Sequence, residues 1–447
     1  LAASGFHLTV LLGAVMAFSR FGGRAWRWGL ALGAMALFLL LAGPQPSVVR
    51  AVAMGAMVFL VQESGRRVRP LGVLLLCVLL ILLAAPSWLL DVGFQLSVAA
   101  TAGLLLSAGP LEESLRGRLP SGRWASWAGP AIAVPLAASL WTLPLQLLHF
   151  GALPLYTVPA NLLVAPLLTP LTLGAMAMAV AAVLLPPLVP LLAWPLVALT
   201  QLLLALVTLL AALPLAQVQL GRCPPPLVAV LAVGLLPWLV PRWWHRRAWG
   251  ALLVGAAMGS HLLLLRGDHL LALREGPRQW LLARHGGRGA LISRRGDPLS
   301  CSRARQLVHA HGLQRLDWVL LLDPVPPDQP ACWGALAHSL LNSQDGRPPL
   351  LAGQRLQSPG LVVQALADGA QALLLQVGEQ RWGLLPDRQA WRAWRHGQGP
   401  PPAVAGLWLG FTPDGGVQRE LRAWAPVVAP SRLWWPVAGS RSGWRQS

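Results

Sequence analysis

A few polar residues stand in pairs within stretches made almost wholly of Leu, Ala and Val. The pairs are Ser4 with His7, Ser47 with Arg50, Asp91 with Gln95 and Gln146 with His149; Asn161 stands by itself. Spacings of three and four put both members of a pair on one face of a helix. A charged group at the centre of a bilayer costs at least about 2.5 kcal/mol, so such groups face a cavity or a partner. The chemistry on offer is binding and passage: amides, hydroxyls, imidazoles and the cation Arg50. Two uses are open. The residues could line one polar vestibule, or they could join packed helices, with Arg50 reaching a head group or pairing with Asp91. No catalytic residue and no metal ligand is expected among them.

The elements that must hold these residues are membrane spans. Of the 447 residues 55% are hydrophobic and 11% charged, where a soluble protein is about a quarter charged. Residues 1–265 hold 14 Arg and 4 acids, and residues 266–447 hold 21 Arg and 12 acids. A span needs roughly 20 apolar residues. Ten segments qualify, at about 3–19, 26–43, 47–62, 70–89, 93–109, 126–149, 158–185, 188–215, 225–241 and 248–265. Nine prolines between Pro154 and Pro214 predict broken or re-entrant helices there.

Arginine sets the orientation. Arg20, Arg24, Arg27, Arg66, Arg67, Arg69, Arg116, Arg118, Arg123, Arg242, Arg246 and Arg247 fall in alternate connections, and the other connections hold only Arg222. The positive-inside rule makes the twelve cytoplasmic. The polar pairs then lie toward the outer ends of their helices, and the soluble half, residues 266–447, is extracytoplasmic.

The net charge of +19 is carried by Arg, since the chain has no Lys. It suits anionic lipid or nucleic acid, or it reflects a GC-rich genome. Cys77, Cys223, Cys301 and Cys332 show no CxxC and support neither a zinc site nor a disulfide framework. The chain opens at Leu1 inside an apolar segment. It is expected to be a fragment without its true N-terminus, and no cleavable signal peptide is evident.

Several segments resemble the membrane domain of the ComEC competence-protein family. Leu1-Ala-Ala-Ser-Gly-Phe-His7 is similar to its LAxSGxH, and Pro46-Ser-Val-Val-Arg-Ala51 to its PSxxRA. Asp91-Val-Gly-Phe-Gln-Leu-Ser97 is similar to DVGFQLS, the most specific of the set. Pro144 and Gln146, then His149-Phe-Gly151, Asn161 and Pro166, resemble its PxQ…HFG…N…P run. The resemblance implies an inner-membrane channel for uptake of single-stranded DNA in natural transformation. It also implies partners: single-stranded DNA, membrane lipid, other competence proteins such as a DNA receptor and an ATP-driven motor, and further copies of the chain. Trp88, Phe94, Trp141 and Phe150 are the candidate base-stacking residues, though interfacial anchoring is the commoner use of such aromatics. No GxxxxGK[ST] loop is present, so energy must come from a partner or the proton gradient.

The soluble half resembles, faintly, that family's metallo-β-lactamase-like domain. Apolar stretches at 279–293, 316–322, 361–366, 371–377 and 380–385 predict strands, and 301–313, 331–341, 388–396 and 417–424 predict helices. The metal loops depart from the family. Asp323-Pro-Val-Pro-Pro-Asp-Gln-Pro330 and Gly410-Phe-Thr-Pro413 lack histidine, leaving Asp323, Asp328 and Asp387 as the acids at strand ends. His309 and His311 precede their strand, as solvated helix-end residues or as ligands. The expected fold is therefore a polytopic α-helical membrane bundle of about ten spans followed by a soluble α/β domain resembling a metallo-β-lactamase-like sandwich. The domain is degenerate, with no cofactor, no metal and no hydrolase activity. A membrane-tethered metal-dependent nuclease, a decayed family member and a small-solute transporter are the alternatives.

A reporter that is active only outside the cytoplasm, fused after Leu265, is expected to be active. An inactive fusion there, with a cytoplasmic reporter active in its place, would overturn the orientation.

Overall fold

The computed structural model describes residues 5–19, 22–63, 69–117, 123–325, 330–343, 348–367, 371–396, 403–428, 432–436 and 444–446. Asp328 and Ser4 lie outside them. The chain divides into two compact units. One comprises Leu1–His149, Leu153–Val218 and Pro224–Ala257, the other Phe150–Ala152, Gln219–Cys223 and Met258–Ser447.

Ten helices are found among the described residues of the N-terminal half: α1 Gly5–Ser19, α2 Arg24–Ala42, α3 Pro46–Glu63, α4 Pro70–Ala84, α5 Val92–Arg116, α6 Arg123–His149, α7 Thr157–Leu184, α8 Val189–Ala212, α9 Pro225–Leu239 and α10 Arg247–Arg266. Each falls on an expected span. Six stretches, Ala25–Ala42, Val92–Arg116, Ala128–His149, Thr157–Leu184, Pro186–Ala212 and Arg242–Arg266, are long and apolar enough to cross a membrane. The apolar helices at Leu8–Ala17, Pro46–Val61, Pro70–Ala84 and Pro225–Leu239 are shorter. Proline sets some of these limits. The residue before a proline is pushed out of helical geometry, so α4 stops at Ala84 before a 3-10 turn at Pro86–Leu90.

The broken helices expected between Pro154 and Pro214 are not what forms. α7 runs through Pro166 and Pro170, and α8 through Pro195, with one 3-10 turn at Pro186–Leu188 between them. A proline removes one N–H from the ladder; within a membrane neighbouring groups and small local adjustments accommodate the loss. Short strands β1 (Ala152–Pro154) and β2 (Gln217–Gln219) pair with each other. Leu8, Met35, Phe38, Val48 and Phe59 bury a core among α1, α2 and α3. Leu83, Leu191, Trp194 and Leu209 stay exposed on other helices. An apolar exterior is what a lipid-solvated bundle presents.

The second unit is built of four layers. β3 (His269–Glu275), β4 (Arg278–His285), β5 (Arg288–Ser293), β6 (Leu316–Leu321) and β7 (Ala337–Asn342) form one sheet in that order. β8 (Arg355–Ser358), β9 (Leu361–Ala365), β10 (Leu373–Val377), β11 (Gln380–Leu385), β12 (Gly406–Leu409), β13 (Arg432–Pro436) and β14 (Trp444–Gln446) form the other. Residues two apart share a sheet face. Leu281, Ala283, Ile292, Trp318 and Leu320 of the first sheet meet Leu361, Val363, Leu375 and Leu384 of the second. The alternate residues Trp280, Leu282, Leu291 and Val319 meet helices α11 (Pro298–Ala310) and α12 (Pro330–Leu336). Leu385, Leu407 and Leu409 meet α13 (Arg388–His396), and α14 (Gly415–Val428) completes that outer layer. Strands covered on both faces read as continuous apolar runs, as Trp280–Ala283 does. The run at 279–293 is a hairpin turned at Gly286 and Gly287, whose φ of 56° and 83° favour glycine.

Two expectations change here. The helix expected over 331–341 ends at Leu336, and Ala337–Asn342 becomes an edge strand parallel to β6. Cys301 and Cys332, set apart in sequence, form a disulfide. The helices that carry them, α11 and α12, cover one face of the same sheet.

Closing a 31-residue separation stabilises the domain by about 3–4 kcal/mol in the chain-entropy account. Cys301→Ala with Cys332→Ala should lower the unfolding midpoint accordingly. Denatured without reductant, the protein should react at two thiols, Cys77 and Cys223, and at four after reduction. Four reactive thiols without reductant would refute the bridge.

Candidate functional site

The N-terminus of α5 gathers the polar residues. Asp91 caps the helix: its carboxylate accepts the Phe94 N–H at 2.7 Å, satisfying one of the donors that a helix start leaves open. One turn on, the Gln95 amide nitrogen donates to the Leu89 carbonyl at 2.8 Å. Its carbonyl oxygen lies 2.8 Å from His149 Nε2 at the end of α6. An amide oxygen only accepts, so the histidine carries its proton on Nε2.

Ser97 faces another neighbour. Its hydroxyl oxygen accepts from Arg50 Nε at 3.0 Å and from Nη2 at 2.7 Å, while Nη1 reaches Met54 Sδ at 3.0 Å. Arg50 is 5% exposed. The sequence expectation of an Arg50–Asp91 pair is therefore not met. Asp91 serves the backbone of its own helix, and among the described residues no carboxylate pairs with Arg50. Sequence reasoning passed over Ser97 as a partner, although it closes the Asp91–Ser97 segment. Two residues along a helix is a turn of about 200°, so Gln95 and Ser97 engage different neighbours.

The remaining candidates stay apart. Ser47 is half-buried in the first turn of α3. Gln146 donates to Thr142 on its own helix at 2.9 Å. Asn161 is exposed and donates to the Thr157 carbonyl at 2.7 Å. His7 belongs to α1, its side chain outside the described set.

Two of the four candidate aromatics are committed to packing, while Phe150 is exposed. Phe94 is 3% exposed. Trp141 donates from Nε1 to Ser107 at 2.8 Å, and Ser107 donates to the Leu239 carbonyl at 2.6 Å, at the open end of α9. Gly103 permits this approach, since a methyl there would meet the Trp141 ring at 2.7 Å. Neither Phe94 nor Trp141 is free to stack on a base. His261, which sequence reasoning missed, is 1% exposed on α10 and donates from Nε2 to the Leu220 carbonyl at 2.8 Å. A lone histidine inside an apolar span was the signal.

A chain family is now decidable. A family model described as Competence protein matches residues 1–246, more than half of the chain. The chain belongs to the Competence protein family. It is also similar to ComE operon protein 3 of Bacillus subtilis (strain 168), with 32% identity over 133 residues, 30% of this chain and 16% of that protein. No solved structure matches. With its apolar helices, this Competence family member is a multi-pass membrane protein.

In the second unit Asp323 and Asp387 stand just past the ends of β6 and β11. Asp387 accepts the Ala390 N–H at 2.7 Å and caps α13. Asp323 is half-buried after β6; burial pushes its carboxyl above the usual range, against the opposing charges of Arg294 and Arg295. The guanidinium of Arg294 reaches the carbonyls of Pro386 at 3.5 Å and Gly410 at 3.4 Å. Gln279 also donates to the Gly410 carbonyl, at 2.8 Å. An arginine thus stands among the strand ends. His309 and His311 close α11, and burial holds both below the usual imidazole range. Among the described residues no three His, Cys, Asp or Glu are grouped to hold an ion.

Ser97→Ala should leave Arg50 without its oxygen acceptor and destabilise the bundle by about 1–3 kcal/mol. Membrane accumulation and thermal unfolding in detergent are the readouts. Arg50→Gln with Ser97→Ala should cost less than the two changes added, and Asp91→Asn should not rescue Arg50→Gln. Rescue by Asp91→Asn would restore the carboxylate pairing.

Proposed function

We propose that this chain forms, in the plasma (inner) membrane, the conduit that carries single-stranded DNA in natural transformation. The carrying observation is the polar joint on α5, where Arg50 meets Ser97 and Gln95 meets His149 inside an otherwise apolar bundle. A DNA strand is a polyanion and needs a polar, basic path through hydrocarbon. Arg50 is held by a hydroxyl and a thioether, so among the described residues its charge is not cancelled by a carboxylate.

In this reading all ten helices cross the membrane and the second unit is extracytoplasmic. The alternation of arginine between connections supports that side, as does the Cys301–Cys332 disulfide, because disulfides persist outside the reducing cytoplasm. The four-layer second unit is read as a metallo-β-lactamase-like sandwich without its metal, binding rather than cutting DNA; the fit of Arg294 among the strand ends supports this. Its partners are the DNA strand, lipid, a DNA receptor, an ATP-driven motor and other copies of the chain.

A transformation assay in a strain lacking the protein tests the reading, with internalised DNA separated from surface-bound DNA. Loss of internalisation with surface binding intact is expected. Arg50→Gln should also lower internalisation per molecule of protein, after correction for any fall in its membrane level. Normal internalisation without the protein would end the proposal. Chelator-sensitive DNA cleavage by the purified full chain would replace the metal-free reading with the nuclease.

A further inference from the structure

Arg284 is a buried cation of the second unit with no acid partner among the described residues. It lies near the end of β4, is 4% exposed, and its Nε is buried without a hydrogen-bond partner among the described residues. No carboxylate pairs with it among those residues. Leaving a charge buried and unpaired costs several kcal/mol, so the fold retains Arg284 against a penalty that an anion would remove.

Two histidines and a second arginine lie near it in the fold. His269 stands directly opposite it on β3. His311 follows α11, and beyond its burial the charges of Arg284, Arg222 and His269 all depress its pKa. Arg222 comes from the connection before α9, and its backbone N–H donates to the Ala310 carbonyl at 2.6 Å. All four residues belong to the second unit. Burial likewise pulls the Arg284 guanidinium down. The one acid beside them in sequence, Asp268, is bonded to His285 at 2.7 Å.

The position of this cluster favours one class of anion. The last turns of α10, also within this unit, expose Leu262, Leu263 and Leu264. A methyl added at Gly221 would stand 2.9 Å from the Gly312 backbone nitrogen and 3.1 Å from Leu265 Cδ2. Residues adjoining Arg222 and His311 therefore lie where an apolar helix ends, which is head-group depth in the reading proposed above that α10 crosses the membrane. The unpartnered Arg284 Nε offers one buried donor, which suits a single phosphate group. A nucleic-acid strand asks instead for an open groove with stacking platforms.

We propose that Arg284, His311, His269 and Arg222 form a phosphate site that takes the head group of an anionic phospholipid. The site ties the soluble unit to the bilayer surface and is independent of DNA passage. The test uses the purified full chain in neutral detergent, with lipid binding followed by native mass spectrometry. Phosphatidylglycerol should bind about tenfold more tightly than phosphatidylcholine, a difference of about 1.4 kcal/mol. Arg284→Gln should erase the preference, and the exposed-site variant Arg222→Gln should weaken it should the buried one misfold. Equal affinity for the two lipids would overturn the proposal. So would inorganic phosphate abolishing the preference at millimolar concentration, which would make the site one for free phosphate. Displacement of phosphatidylglycerol by a single-stranded oligonucleotide would assign the cluster to DNA and overturn it as well.

Discussion

A polar atom in hydrocarbon must find its partner within the protein, and α5 is where this chain meets that demand most densely. The helix begins with a carboxylate that satisfies its own first turn. Gln95 uses both ends of its amide, one for the preceding turn and one for α6. Ser97 receives two donors from α3. Ser107 accepts from α6 and donates to the end of α9. One helix thus holds polar joints to three others. Apolar packing alone would let these helices slide or rotate at little cost, because lipid competes equally for their leucines. The joints fix register.

The joint with Arg50 differs from the rest. A helix bundle that needed only glue could pair an arginine with aspartate or glutamate and cancel its charge. Here the guanidinium is held by neutral atoms, Ser97 Oγ and Met54 Sδ. Hydrogen bonds to a charged group contribute about 1.5–3 kcal/mol each, enough to hold the side chain in place. They leave the positive field uncancelled. The result is a cation with a fixed position and a retained charge inside the bundle.

The positions of the ten helices were legible because each apolar run is long and bounded by Arg, Pro or Gly. Which polar residues would meet was not. Asp91 and Arg50 look like a natural pair because opposite charges attract. An aspartate immediately before a helix, however, has open N–H groups at hand and takes the local partner first. The choice of Ser97 follows from rotation about α5, a tertiary fact with no trace in spacing. Trp141 was legible as an aromatic in a span; its commitment to Ser107 was not. In the second unit, β7 was hidden by helical-looking residues after Trp333. Its strand state comes from the free edge of β6 beside it. The disulfide was hidden for a similar reason: only once α11 and α12 lie on one sheet do Cys301 and Cys332 meet.

The second unit meets the same demand for partners at its strand ends. Its layers are held by apolar residues that alternate through both sheets, and none of that packing depends on a metal. The strand ends of the two sheets still have to be joined, because the carbonyls of Pro386 and Gly410 point into the junction and need donors. Arg294 and Gln279 supply them. A guanidinium offers five N–H donors and a permanent charge but no open coordination position. It can join the strand ends, but it cannot lower the pKa of a water as a metal does.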